Sequence, residues 1–325
     1  LIHKPYRDLK SYLKERYGQA VQRIPLDAGF TCPNRVGGAG GCIYCDSTGS
    51  GFTVDSRLSL LDQLQKGMEG LRKKGLGKFM AYFQANSNTF APVERLRELY
   101  KQVLIEDVVI LDISTRPDLV GEEVLELLDE LSRDIDVILE LGLQSVNPNT
   151  LKKINRGHTL SQFVDAAIRA TNHNIETVAH VIVNLPWDTI EDVAEAARLL
   201  SVLGVKGVKI HSLYVVENTE LARQYLAGET VLTSLDVFLE RVVTFLEYLD
   251  EDVVVHRLVA DPPIEGTLFG NWGFSKLQLL NMIEKKMIIE GRYQGSKALK
   301  VKRGSETGDR GNAEESPDSM GEDAG

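Results

Sequence analysis

Three cysteines carry the first chemical signal in this chain. They lie in Cys32-Pro33-Asn34-Arg35-Val36-Gly37-Gly38-Ala39-Gly40-Gly41-Cys42-Ile43-Tyr44-Cys45, and they are the only 3 among 325 residues. Thiolates are soft, charged donors that suit zinc and iron–sulfur clusters. A structural zinc takes four protein ligands, so three thiols leave one to find. The six histidines (His3, His158, His173, His180, His211 and His256) offer candidates, but none stands at zinc-finger spacing from Cys42 and Cys45. A redox Cys-x-x-Cys would use Cys42 and Cys45 and ignore Cys32. A cubane iron–sulfur cluster held by Cys32, Cys42 and Cys45 would leave one iron open. Ligand number and spacing favour that reading and leave zinc, or no metal, as alternatives.

Polar residues also gather where elements end, so the elements come next. Val21–Leu26 reads as a strand that delivers the chain to the cysteine loop. Leu58–Lys74 has helical periodicity and stops at Gly75 and Gly77. Lys78–Phe83 reads as a strand, Pro92–Val103 as a helix, Asp107–Ile113 as a strand and Gly121–Arg133 as a helix. Asp136–Leu141 follows as a buried strand. Thr159 with Gln162 forms a capping box that opens a helix to about Asn172. Glu176–Val183 is a strand, Asp188–Leu203 a helix opened by Asp188 with Glu191, and Val205–Leu213 a strand. One apolar strand and one helix per unit of about 30 residues marks a parallel α/β architecture. Six such units fall short of the eight in a full barrel. The expectation is a partial (βα)6 TIM-like barrel over residues 21–230. A C-terminal α/β extension over 231–300 would contain a helix at Thr233–Leu249, a strand at Val253–Leu258 and a helix at Lys276–Ile289.

Composition narrows the function classes. Apolar residues at 43% allow a sizeable core. A formal net charge of −10 argues against a nonspecific nucleic-acid binder, although an acidic chain can bear a local basic face. Residues 301–325 hold 3 basic and 7 acidic side chains, so part of that charge is local. The stretch has too few large apolar residues to offset ordering entropy, and a disordered acidic tail is expected. Residues 1–20 form a basic lead-in. Lys4, Arg7, Lys10, Lys14 and Arg16 alternate with Tyr6, Leu9, Tyr12 and Leu13, either as a solvated helix face or as a phosphate-contacting arm. Clustered thiols without a secretory signal point to a reducing, cytoplasmic compartment. The first residue is Leu1, which leaves room for an upstream targeting peptide. No run approaches the roughly 18 apolar residues of a membrane span.

Parallel α/β folds place their sites at the C-terminal ends of strands. There the sequence offers Gln84-Ala85-Asn86-Ser87-Asn88-Thr89, Ser114-Thr115-Arg116-Pro117-Asp118, Glu140-Leu141-Gly142-Leu143-Gln144-Ser145, Asn184-Leu185-Pro186-Trp187-Asp188, and Lys209 with His211. Strand alternation that turns Glu140 and Gly142 inward turns Leu139 and Leu141 toward the helices.

An aromatic before the last cysteine, Cys42-Ile43-Tyr44-Cys45, resembles the radical S-adenosylmethionine (SAM) enzymes. The nine-residue first gap, Pro33 to Gly41, is similar to that of their YhcC/YtqA-like branch, related to the radical SAM part of the Elongator catalytic subunit. The likeness continues through Tyr82-Phe83-Gln84-Ala85, Asn155-Arg156-Gly157-His158-Thr159 and Val208-Lys209-Ile210-His211, and spans roughly residues 3–295. One stretch departs: Asn184-Leu185-Pro186-Trp187-Asp188-Thr189 stands where the family usually has Gly-Leu-Pro-Gly-Glu-Thr, and Trp187 could reshape the pocket or its packing against SAM.

The resemblance implies a partial barrel of radical SAM type, with a [4Fe–4S] cluster on Cys32, Cys42 and Cys45 and SAM on the open iron. It implies cofactor contacts from Tyr44 near the adenine, Gln84 and Asn86 at the methionine moiety, and Glu140, Gln144 and Ser145 at the ribose. Arg156 would pair with the SAM carboxylate. Arg116 is a further cofactor-side candidate, or it holds its loop by pairing with Asp118. Lys209 and His211 are the catalytic candidates. The implied work is on 5-carboxymethylaminomethyl-uridine at the tRNA wobble position. An electron donor such as flavodoxin or ferredoxin and a downstream methyltransferase would be partners. Lys297, Lys300, Lys302 and Arg303 could contact phosphates. Radical chemistry on a small molecule or peptide, and a non-catalytic zinc-binding protein, are the alternatives.

Overall fold

A computed structural model describes residues 4–38, 40–46, 48–49 and 54–299. The expected acidic tail, and Lys300, Lys302 and Arg303, lie outside the described residues. The chain runs α1 (Leu9–Tyr17), β1 (Val21–Leu26), α2 (Leu60–Arg72), β2 (Lys78–Phe83), α3 (Val93–Lys101), β3 (Val108–Thr115), α4 (Glu122–Leu131), β4 (Asp136–Gln144), α5 (Pro148–Lys153) and α6 (Leu160–Asn172). It continues through β5 (Glu176–Ile182), α7 (Ile190–Leu203), β6 (Gly207–His211), β7 (Val215–Val216), α8 (Glu220–Leu226), α9 (Leu235–Tyr248), β8 (Val254–Arg257), β9 (Thr267–Phe269) and α10 (Lys276–Ile289).

Seven parallel strands form one sheet in the order β1-β2-β3-β4-β5-β6-β8, and β7 pairs with β9 antiparallel beside it. The sheet curls but does not close, because β1 and β8 share no ladder. This is a partial TIM-like barrel. The count of six strands is corrected to seven: the strand assigned to a C-terminal extension pairs with β6 and completes the core sheet.

The two faces of the sheet follow strand alternation. Outward residues such as Phe79, Phe83, Leu111, Leu139, Leu141, Val181 and Ile210 are buried against the helices, which supply Leu64, Leu96, Leu128, Phe163, Leu200 and Phe245. The inward side is layered. At the N-terminal end of the strands, Val21, Met80, Ile110, Ile138 and Val178 pack with Leu13 of α1. Burying one such leucine stabilises by roughly 1.5–3 kcal/mol. The lead-in therefore plugs the floor of the barrel. Its Arg16 pairs with Asp136 at 2.9 Å and Glu176 at 2.7 Å, the first residues of β4 and β5, and Arg7 reaches Asp252 at 3.4 Å. These two basic residues hold the fold together and do not form a free phosphate arm.

Gln294, buried beyond α10, clasps the start of the chain. It donates to the carbonyls of Pro5, Asp250 and Val253 at 2.9, 2.8 and 2.8 Å and accepts from the Arg7 amide at 2.9 Å. One capping assignment shifts. The cap of α7 is Thr189, reciprocally bonded with Asp192, and not Asp188 with Glu191. Asp188 instead accepts from the Ser145 hydroxyl at 3.0 Å, and its carbonyl accepts from Arg241.

Candidate active site

The loop after β1 is fixed by its own backbone first. The Arg35 amide donates to the Cys32 carbonyl at 2.8 Å and the Cys45 amide to the Cys42 carbonyl at 3.0 Å, so each end of the motif is a turn. The turn after α5 then staples the loop in place. Asn34 donates to the Asn155 carbonyl at 2.6 Å, Asn155 returns a bond to Gly41 at 2.7 Å, and the Ile43 amide reaches the Ile154 carbonyl at 3.1 Å. Gly157 completes the seat. Its φ of +77° is left-handed, and a Cβ there would lie 2.5 Å from Asn34 Oδ1. Arg116 grips Asp118 with two bonds and donates to the carbonyls of Arg156 at 3.0 Å and Gly157 at 2.8 Å. Its fork is committed to Asp118 and to the turn that carries Arg156, which matches the loop-holding alternative, although Arg116 also lines the cavity.

All three cysteines face a cavity of about 670 Å³ inside the barrel. Cys42 is buried, and Cys32 and Cys45 are half-buried. Asn34 Nδ2 and Arg156 Nη1 lie 3.6 and 3.7 Å from Cys42 Sγ, and the buried Arg156 Nε has no partner. Gly142 makes room for that guanidinium, since a Cβ on it would sit 2.2 Å from Arg156 Nη2. Burial pushes the Cys45 thiol up to about 12, against the pull of Arg35. Buried sulfurs with donors and an unpaired cation beside them fit a thiolate-held, anionic cluster. Among the described residues no three His, Cys, Asp or Glu side chains, the cysteines included, are drawn together closely enough to hold a metal ion.

Tyr44, Gln84, Asn86, Gln144 and Arg156 all line the same cavity. The Asn86 amide donates to the Gly49 carbonyl at 3.0 Å, which ties the end of β2 to the chain just past Cys45. Glu140 and Ser145 do not reach the wall. Glu140 is wholly buried and its oxygens serve other side chains, while Ser145 donates to Asp188. Both side chains are therefore engaged away from the cavity that Tyr44, Gln84, Asn86, Gln144 and Arg156 line. Trp187 is also absent from the cavity wall. It packs in a cluster with Ile43, Tyr44, Ile154 and Leu185, with the Lys153 ammonium 5.6 Å from its ring centre. It supports the cysteine loop from behind.

Below the thiols lies a buried ionic layer. Lys209 donates to Glu140 Oε2 at 2.8 Å and to the Tyr82 hydroxyl at 2.6 Å. Arg23 donates to Asp112 at 2.9 Å and to Glu140 Oε1 at 3.1 Å. Ser114 donates to Glu140 at 2.7 Å, and His180 Nε2 stands 2.8 Å from the same carboxylate. Burial opposes ionisation of Glu140, but Lys209, Arg23 and His180 outweigh it and hold the group well below the usual range. Burial and the neighbouring Glu140 charge push Asp112 up. Burial pulls Lys209 down, with Glu140 opposing. Burial lowers His180 and His256 to about 4, so both are neutral near pH 7. Of this layer the sequence reading singled out Lys209 and Glu140 as site residues. Arg23, Asp112 and Arg257 were missed, although a lone charge inside an apolar strand is a readable signal.

A curled parallel sheet, three clustered thiols at the end of its first strand and a polar chamber beneath them define a class of cluster-dependent enzyme. The model of the radical SAM superfamily matches residues 31–200 and that of the radical SAM C-terminal domain matches residues 205–288, and the chain belongs to this superfamily. Its enzymes use a [4Fe–4S] cluster and SAM. The chain is 37% identical to YtqA of Bacillus subtilis over 297 residues, covering 90% of this chain and 92% of that one. It is 33% identical to YhcC of Escherichia coli K12 over 254 residues, 76% of this chain and 81% of the relative. The archaeal Elp3 of Methanocaldococcus infernus shares the fold, with a TM-score of 0.67 at 20% identity over 84% of this chain and 64% of that one. Among the described residues no helix is long and apolar enough to cross a membrane.

Proposed function

We propose that this enzyme holds its cluster on Cys32, Cys42 and Cys45 and acts on a wobble uridine of tRNA, taking a 5-carboxymethylaminomethyl group to the aminomethyl form. The observation that carries the reading is that the three thiols and the ionic layer open on one cavity. When bound, the cluster and SAM supply reductive cleavage to a 5′-deoxyadenosyl radical, the chemistry of the cofactors themselves.

The chain's own residues hold and orient. Arg156, with no carboxylate in ion-pair reach among the described residues, faces the thiols and would supply positive charge to the SAM carboxylate. Gln84, Asn86 and Gln144 offer amide donors and acceptors at the strand ends, and Tyr44 offers a ring face. Lys209 holds a proton between Glu140 and Tyr82 at the chamber floor. The tRNA substrate is what the resemblance of the sequence motifs implies. It is also supported by a chamber lined with both signs of charge, which suits a side chain bearing an amine and a carboxylate.

Anaerobic reconstitution with iron and sulfide tests the first part. A brown, oxygen-sensitive protein that forms 5′-deoxyadenosine from SAM is expected, and Cys42→Ala abolishes that product. Nucleosides of tRNA from cells with and without the gene test the second. Accumulation of the carboxymethylaminomethyl form without the gene is expected, and an unchanged wobble-uridine profile rejects tRNA as the substrate.

A further inference from the structure

The cations on the cavity wall divide by what neutralises them. Arg23 pairs with Asp112 and Glu140, Lys209 with Glu140, Arg116 with Asp118 and Lys276 with Asp261. Arg257 on β8 has no carboxylate within ion-pair reach among the described residues. Its Nε donates to the Ile210 carbonyl at 3.3 Å and its Nη2 lies 2.5 and 2.6 Å from the two ring nitrogens of His211. Its Nη1 has no partner among the described residues.

The strand is irregular where it presents this side chain. Val255 pairs with Val208, yet the next partner, of Lys209, is Arg257, so His256 is an extra residue in the ladder. Such a bulge re-aims side chains. Here two successive residues, His256 and Arg257, line the same cavity. His256 fits because Gly207 faces it: a Cβ on Gly207 would lie 2.7 Å from His256 Nε2. The backbone thus departs from regular pairing in a way that puts an uncompensated guanidinium in the chamber. A desolvated cation without an anion is costly, and a planar fork is matched best by a planar anion.

We propose that Arg257, held at its Nε by the Ile210 carbonyl and set beside His211, is the anchor for a carboxylate of the substrate, so that this enzyme selects a substrate with one carboxylate on the part that enters the barrel. The charge count favours a carboxylate over a phosphate monoester. Beside Arg156, which the proposed function gives to the cofactor, Arg257 is a guanidinium on this wall with no carboxylate in ion-pair reach among the described residues, while burial and Arg257 hold His211 well below its usual range and Lys209 is already engaged by Glu140. The inference rests on reading this cavity as the substrate chamber.

The test uses the reconstituted holoenzyme and two probes. The first is sodium acetate against sodium chloride and sodium phosphate at equal ionic strength and pH 7.5, read as the unfolding midpoint. Acetate is expected to raise the midpoint of the wild type above its value in chloride, and not that of Arg257→Gln. Equal midpoints in acetate and chloride, a larger rise in phosphate, or the same acetate rise in the variant would each overturn the proposal. The second probe is tRNA from cells lacking the gene, where Arg257→Gln is expected to lower kcat/KM at least 30-fold, with Arg257→Lys recovering part of the loss. An unchanged kcat/KM overturns the anchor. If the wild type leaves that tRNA untouched, the tRNA reading fails and the acetate experiment still decides the anchor. Should Arg257→Gln not fold, Arg257→Lys carries both measurements, since it keeps the charge and loses the fork.

Discussion

Gly157 shows how much of the site depends on one missing Cβ. It holds a left-handed φ and leaves room for Asn34, which in turn donates toward Cys42. In Gly157→Ala a methyl group would meet Asn34 Oδ1 at 2.5 Å while the backbone is also strained. The cysteine loop should shift, and iron and sulfide per chain after reconstitution should fall well below the wild-type level. Full loading would refute this view of the seat. The buried imidazoles give a pH prediction. His158, His180 and His256 are each lowered by burial from 6.5 to about 4, so the unfolded chain binds protons that the folded one refuses. Their stabilising contribution is complete above pH 6.5 and is lost as pH falls toward 4. Between pH 7 and 5 each should cost roughly 1–2 kcal/mol of stability. Urea unfolding at pH 7, 6 and 5 should show this decline, and His180→Gln should show a shallower one. Parallel lines for the two proteins would contradict the account.

At the scale of elements, the strands and the large helices were readable because each obeys a period. β1, β2 and α10 have the bounds that the pattern gives, and most others differ by one to three residues at their ends. Alternation puts Glu140 on the opposite face from Leu139 and Leu141, as the structure has it, yet which partners it meets is not readable. Arg23, Lys209, His180 and Ser114 reach it from four other strands, and no local pattern encodes which residues a curled sheet brings face to face. The bulge at His256 was hidden for the same reason, since a break in register exists only relative to a neighbouring strand. α5 and α8, at 6 and 7 residues, are too short for periodicity to separate them from loops. The basic lead-in reads as a solvated face or a phosphate arm, and sequence does not show that the partners of Arg16 start β4 and β5. Gln294 makes the most consequential link between elements. Gln294→Ala removes three side-chain bonds, two of them to backbone carbonyls and one from the Arg7 amide. A net loss of about 2 kcal/mol or more is expected, given about 1 kcal/mol for each bond and more for a buried group left unpaired. Thermal unfolding measures it, and hydrogen exchange should show lost protection at Arg7. An unchanged midpoint would mean that water replaces the glutamine at no cost.

For the whole molecule, the open sheet explains how one barrel holds both a floor and a mouth. α1 closes the strand N-termini and forms a parallel bridge between Asp8 and Val255, so it covers the seam beside β8. The cavity runs up from that plug, past the ionic layer, to the cysteine loop. Charge is arranged along this axis. The interior pairs are compensated, and among the described residues the guanidiniums of Arg156 and Arg257 have no carboxylate in ion-pair reach, one toward the thiols and one in the chamber. On the proposed reading, cofactor and substrate would meet different cations.

The Gln294 clasp also bears on the order in which the protein is made. Arg7 and Gln294 are separated by 287 residues in the chain. At about 5–20 residues per second of synthesis, roughly 15–60 s pass between them. Through that interval the first helix lacks the latch that holds its leading end, while the sheet beside it is already being laid down strand by strand. The nascent barrel therefore has a loosely held floor until its last segment emerges. A ribosome-bound chain stopped before residue 294 should be cut by protease near residues 5–8 far faster than the released protein.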